Sequence, residues 1–200
     1  MRNLCMAVIF QLGWLACVAS GARDRPLSAL AAAVAVVACN LWLQRGRLAA
    51  EARLIAWVTL AGFGIETFHL WTGVFMLAGQ PKYPWLCPVW LVVLWTMFAT
   101  LLRGPLAWLA GRYALSALLG AAFAAPNYIA GARLGAVTLS SNMLFIVTVL
   151  MATWALAMPG LVWLAAITET KRREADRTYK PRFAGGGGAC HRRIKDNDAD

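Results

Sequence analysis

Leu54–Ala78, LIAWVTLAGFGIETFHLWTGVFMLA, is the stretch that decides what kind of protein this is. An apolar run of that length crosses a bilayer as a helix, for which about 20 residues suffice. Near its middle stands one carboxylate, Glu66. A charge at that depth costs roughly 2.5–3.5 kcal/mol even on the mildest insertion scales, so an intramembrane acid is read as a candidate functional residue. Thr59, Gly62, Glu66, His69 and Gly73 recur at three- and four-residue steps, which aligns them on one face of a helix. That face is expected to meet protein and not lipid.

The rest of the chain has the same character. With 60% hydrophobic and 14% charged residues and a mean hydropathy of +0.60, it is unlike a soluble domain, where about a quarter of residues are charged. The fold class is therefore all-α, a polytopic transmembrane helix bundle. The formal charge of +10 has to be located before it is interpreted. Residues 1–170 hold ten Lys/Arg and four acids, and residues 171–200 hold nine and five, so the basicity belongs to short loops and a tail.

Six spans are read, at about 4–20, 27–43, 54–78, 85–102, 113–132 and 142–167. Arg23-Asp24-Arg25-Pro26 closes the first, because charges followed by proline cannot continue a helix into lipid. The N-terminal run imitates a secretory signal, but Gln11, Gly13 and Trp14 interrupt it and further spans follow, so it is read as a retained helix. Ala31, Ala35 and Cys39 form a small-residue seam in the second span, and Ser116/Gly120/Ala124 and Ala117/Ala121/Ala125 form two in the fifth. The turn between the third and fourth spans is Gly79-Gln80-Pro81-Lys82-Tyr83-Pro84, and Pro126 and Pro159 are expected to kink the fifth and sixth. Residues 169–200 read as a disordered, basic and Gly-rich tail.

Lys and Arg counts in the short loops, Arg103 among them, place both termini on the cytoplasmic side of the membrane. No internal repeat is evident. The five cysteines have no CxxC spacing and are read as apolar packing residues, giving neither a disulfide framework nor a metal site. Cys190-His191 stands alone in the tail, so no metal or cofactor is expected. Nor is nucleic acid, because the basic run Lys171-Arg172-Arg173 lacks interleaved aromatics and suits topology and acidic lipid better.

Glu66 has two readings. A carboxyl in low-dielectric surroundings can hold or pass a proton, with His69 one turn on as a relay; it can equally be a helix–helix hydrogen-bond partner, and His69 leans toward that structural role. Gln11, Asn40 and Asn127 are single polar side chains in three other spans, and each would reach Glu66 if its helix packs on the third; separate cross-helix bonds explain them equally well. Arg133 near the end of the fifth helix could bind an anionic headgroup, although snorkelling to the interface is the commoner role. Trp42, Trp57, Trp85, Trp108 and Trp163 fall near span ends, as in an aromatic belt. Trp14, Trp71, Trp90, Trp95 and Trp154 lie deeper and either pack between helices or line a pocket for a flat or isoprenoid ligand. The sequence has no HExxH, P-loop, GxSxG or multi-histidine box, so no reaction is legible.

Phe10-Gln11-Leu12-Gly13-Trp14, Tyr83-Pro84 with Pro88-Val89-Trp90, Trp95-Thr96-Met97-Phe98-Ala99-Thr100-Leu101 and Tyr128 to Ala136 resemble the bacterial domain of unknown function 2878 family over about residues 4–167. The long Gly-rich tail departs from that pattern, and an aspartate is as usual as Glu66 at its position. The resemblance implies an inner-membrane protein without an assigned activity, and the occurrence of some relatives beside fatty-acid modification genes implies a lipid-linked role. Three functions follow: a protein that binds a lipid or isoprenoid, or is accessory to its processing, at the Glu66 face; a small proton-linked permease that uses Glu66; and a structural membrane subunit. Membrane lipids are the expected partners.

Overall fold

The computed structural model describes residues 1–44, 48–77 and 85–179, the side chains of 48–50 and 170–179 excepted. The loops read at 45–47 and 78–84, and the tail from residue 180, lie outside the described residues. The described residues form six α-helices: α1 (Arg2–Ala22), α2 (Pro26–Gln44), α3 (Leu48–Trp71), α4 (Val89–Leu102), α5 (Tyr113–Arg133) and α6 (Met143–Tyr179). A 3-10 turn, Ala107–Leu109, joins α4 to α5. Five of the helices are long and apolar enough to cross a membrane, so the chain is an all-α multi-pass bundle.

The exception is α4, whose 14 residues rise only about 21 Å. It is also the helix on which the others assemble, packing against α1, α2 and α3. Its buried residues, Leu91, Val93, Trp95, Met97 and Ala99 to Leu102, do not keep to one stripe, as suits a helix enclosed by protein on most sides. The pair α5–α6 then closes on the group, chiefly through α6 against α3. In the second span the small-residue seam lies elsewhere than read: Ala31, Ala35 and Cys39 are exposed, while Ala29, Ala33, Val36 and Asn40 are buried. Two four-residue stripes compete on so uniformly small a helix, and the partner chooses between them. The predicted Ser116/Gly120/Ala124 seam is buried, and Gly120 is needed there, since a Cβ would stand 2.5 Å from the Trp154 carbonyl oxygen.

The third helix stops at Trp71, short of the predicted Ala78. Gly73, at φ +72°, donates its N–H to the Leu70 carbonyl, and the Val74 N–H bonds the His69 carbonyl; together these form a Schellman stop. Helix α5 ends identically: Gly135, at φ +81°, bonds Ala132, and Ala136 bonds Gly131. Each stop leads after one residue into a three-residue strand. Strand β1 (Phe75–Leu77) pairs antiparallel with β2 (Val137–Leu139), Phe75 opposite Leu139 and Leu77 opposite Val137. The strands were not expected from sequence, nor was the repeated helix–stop–strand unit that the pairing reveals, because so few identities carry it. Helix α6 does not end with its apolar run but continues to Tyr179.

Candidate functional site

The repeated unit places the site. Gly73 and Gly135 occupy equivalent positions, and so do Glu66 and Tyr128, 62 residues apart. The strand pairing brings the ends of α3 and α5 together, and the Tyr128 hydroxyl donates to Glu66 Oε1 at 2.6 Å. The same oxygen accepts the Trp95 indole N–H at 3.0 Å. Glu66 Oε2 lies 3.5 Å from His69 Nδ1, and that nitrogen is 3.3 Å from the Tyr128 hydroxyl. Glu66 is 2% exposed and His69 fully buried. Three helices thus supply one carboxyl with two donors and an imidazole, an arrangement suited to keeping a polar group inside an apolar body.

Close approach makes this possible. Trp95 lies flat on α3 at Gly62, where a Cβ would sit 2.1 Å from its ring carbons. Behind it Trp154 of α6 stacks at 5.0 Å between centroids, 15° from parallel. Phe75 of β1 closes the other side, 5.6 Å from Tyr128 and 6.4 Å from His69. Among the described residues, Glu66 Oε2 and His69 Nε2 are buried here without a completed hydrogen bond, Oε2 having the imidazole at 3.5 Å.

Glu66 and Tyr128 form part of the wall of a cavity of about 510 Å³. Phe10, Gln11, Trp14 and Val18 of α1 face Leu119, Phe123, Asn127 and Tyr128 of α5 across it; these two helices make no substantial contact with each other among the described residues. Trp90, Leu94, Trp95 and Phe98 of α4, with Trp154 and Met158 of α6, form the back. Along α5 the lining runs from Leu119 to Gly131, about 18 Å of helix. Its size falls within the usual range for small-molecule pockets, about 300–1,000 Å³.

Of the residues singled out from sequence, Glu66 and His69 come together, and Gln11 and Asn127 reach the same cavity without touching Glu66. Asn127 donates to the Phe123 carbonyl. Asn40 belongs elsewhere: it is fully buried but donates to Thr100 Oγ1 at 2.8 Å, because α2 packs on the part of α4 beyond Trp95. Arg133 is exposed at the end of α5, outside the cavity lining. Of the deeper tryptophans, Trp14, Trp90, Trp95 and Trp154 line the cavity, whereas Trp71 is exposed and bonds the Trp85 carbonyl. Sequence reasoning missed Tyr128 and Trp95 as Glu66 partners; a phenol and an indole deep in apolar spans, whose polar tips need a partner when buried, were the available signal. It also read Arg103 only as a topological charge. Arg103 is largely buried, bonding Glu51 Oε1 at 2.9 Å and Thr168 Oγ1 at 2.7 Å, and ties α3, α4 and α6 at the end remote from the strands. Among the described residues no group of His, Cys, Asp and Glu is placed to hold a metal.

The family profile described as a protein of unknown function (DUF2878) matches residues 3–160. Neither the curated proteins nor the solved structures contain a match.

Proposed function

The chain belongs to this DUF2878 family of unknown function, and we propose from its cavity that this multi-pass membrane protein holds a lipid or isoprenoid chain against the Glu66 face, in the bacterial inner membrane. The observation that carries the reading is the pairing of an 18 Å aromatic-rich lining, about as long as half a bilayer's hydrocarbon, with a sealed carboxyl–phenol–imidazole group on its wall. Ten of the lining residues are Phe, Trp or Tyr, which supply large apolar contact at little entropic cost. The gap between α1 and α5 lets a chain enter from the membrane without crossing water. An accessory role in modifying fatty acids suits such a holder as well as catalysis does.

A diazirine-bearing isoprenoid incorporated into vesicles with the protein tests the reading. Photo-adducts mapped by mass spectrometry are expected to concentrate on Trp14, Trp90 and Phe123 and to be competed by excess unlabelled chain. Adducts spread evenly over outward residues such as Leu12, Leu30 and Leu60 would dismiss the cavity as the binding place.

The linked contacts from His69 through Tyr128 to Glu66, at 3.3 Å and 2.6 Å, favour a second reading, a proton-linked permease. Glu66→Gln keeps the shape and removes the titrating group. Growth and lipid profile of that strain indistinguishable from wild type at every pH would rule the permease out.

A further inference from the structure

The wall of the cavity also selects the head of its ligand. Resting on the lipid reading above, we infer that the occupant is an uncharged, unsaturated long-chain alcohol, and that ionised lipids such as fatty-acid anions are discriminated against. Charge is the first ground. Among the described residues the cavity lining contains no lysine, arginine or histidine, and its one acidic residue is Glu66. An anionic head would enter low-dielectric surroundings beside a carboxyl with nothing to neutralise it, the costly case for a buried charge.

Hydrogen-bond chemistry is the second ground. The polar side chains that meet the cavity outside the sealed Glu66 group are Gln11 and Asn127, exposed carboxamides that each carry a donor and an acceptor. A ketone, ester or quinone oxygen only accepts. A hydroxyl both donates and accepts, and is the smallest neutral group that does. Gln11 and Asn127 lie on opposite sides of the gap, so a hydroxyl between them can donate to one and accept from the other. The chain itself is specified by the rings: the Trp95–Trp154 stack and the edge-on ring pairs Phe98–Trp154 and Trp95–Phe98 favour π-bonded carbon, which stacks or meets ring edges as aromatic pairs do.

Competition against the diazirine probe with detergent-solubilised full-length protein at pH 8 tests this, using all-trans-geranylgeraniol and the carboxylic acid with the same chain. The alcohol is expected to compete about tenfold better than the acid, a difference of about 1.4 kcal/mol. In Glu66→Gln the gap is expected to narrow to about threefold or less. An acid that competes as well as the alcohol overturns the head-group inference and leaves the lipid reading standing. If neither competes, the lipid reading itself fails. A tenfold preference that persists unchanged in a folded Glu66→Gln variant removes Glu66 as its source and overturns the electrostatic argument.

Discussion

Gly62→Ala puts the architecture of the site to its hardest test. The new methyl would lie 2.1 Å from Cγ and Cδ2 of Trp95, where carbon atoms normally stand about 3.5–4.0 Å apart. The indole must therefore retreat by about 1.5 Å, which carries Nε1, now 3.0 Å from Glu66 Oε1, out of hydrogen-bond range and disturbs the stack on Trp154. Overpacking of this kind costs about 1–3 kcal/mol, and the lost bond to a buried carboxyl about 1–3 kcal/mol. Alanine's better helix propensity returns about 1 kcal/mol. The net loss is roughly 1–5 kcal/mol, or a fall of roughly 2–20 °C in Tm for a chain of this size. The control is Gly64→Ala, two residues along the same helix, where a Cβ meets nothing within 4 Å and Tm should hold or rise. Both are read by intrinsic tryptophan fluorescence during heating in detergent. Equal melting of the two variants would refute the placement of Trp95 on α3.

Tyr128→Phe removes the 2.6 Å bond to Glu66 with almost no change of volume, and a loss of about 1–3 kcal/mol should appear as a lower Tm, whereas Tyr113→Phe, at an exposed residue, should be silent. Gly120→Ala sets a methyl against backbone, 2.5 Å from the Trp154 carbonyl oxygen; α5 and α6 must separate, so the variant should accumulate poorly in membranes, while Gly160→Ala, in open space, accumulates normally. Arg103→Leu takes the guanidinium from the buried Glu51 carboxylate and should cost about 3–5 kcal/mol, part of it regained when Glu51→Gln is added; a double variant that melts below Arg103→Leu alone contradicts the pairing.

The sequence by itself determined that this is a multi-pass helical protein, because apolar length and the cost of charge in lipid leave few other solutions. It also singled out Glu66 and its protein-facing stripe, since helical periodicity is local and a lone acid stands out against it. His69, one turn away on that stripe, was legible as a neighbour but leaned toward structure only. What joins Glu66 was not legible. Tyr128 and Trp95 are ordinary residues for a membrane helix, and they become its partners only because α4 packs against α3 at Gly62 and the β1–β2 pairing draws the ends of α3 and α5 together. Asn40 shows the reverse: as polar and as deep as any candidate, it bonds Thr100 because of where α2 crosses α4. Contacts between helices depend on register, crossing and small-residue fit, which arise between segments far apart in the chain and leave no period in either. The opening stretch announced a carboxyl that had to be accommodated; only the tertiary structure decided that a phenol, an indole and an imidazole accommodate it, at the wall of an aromatic cavity.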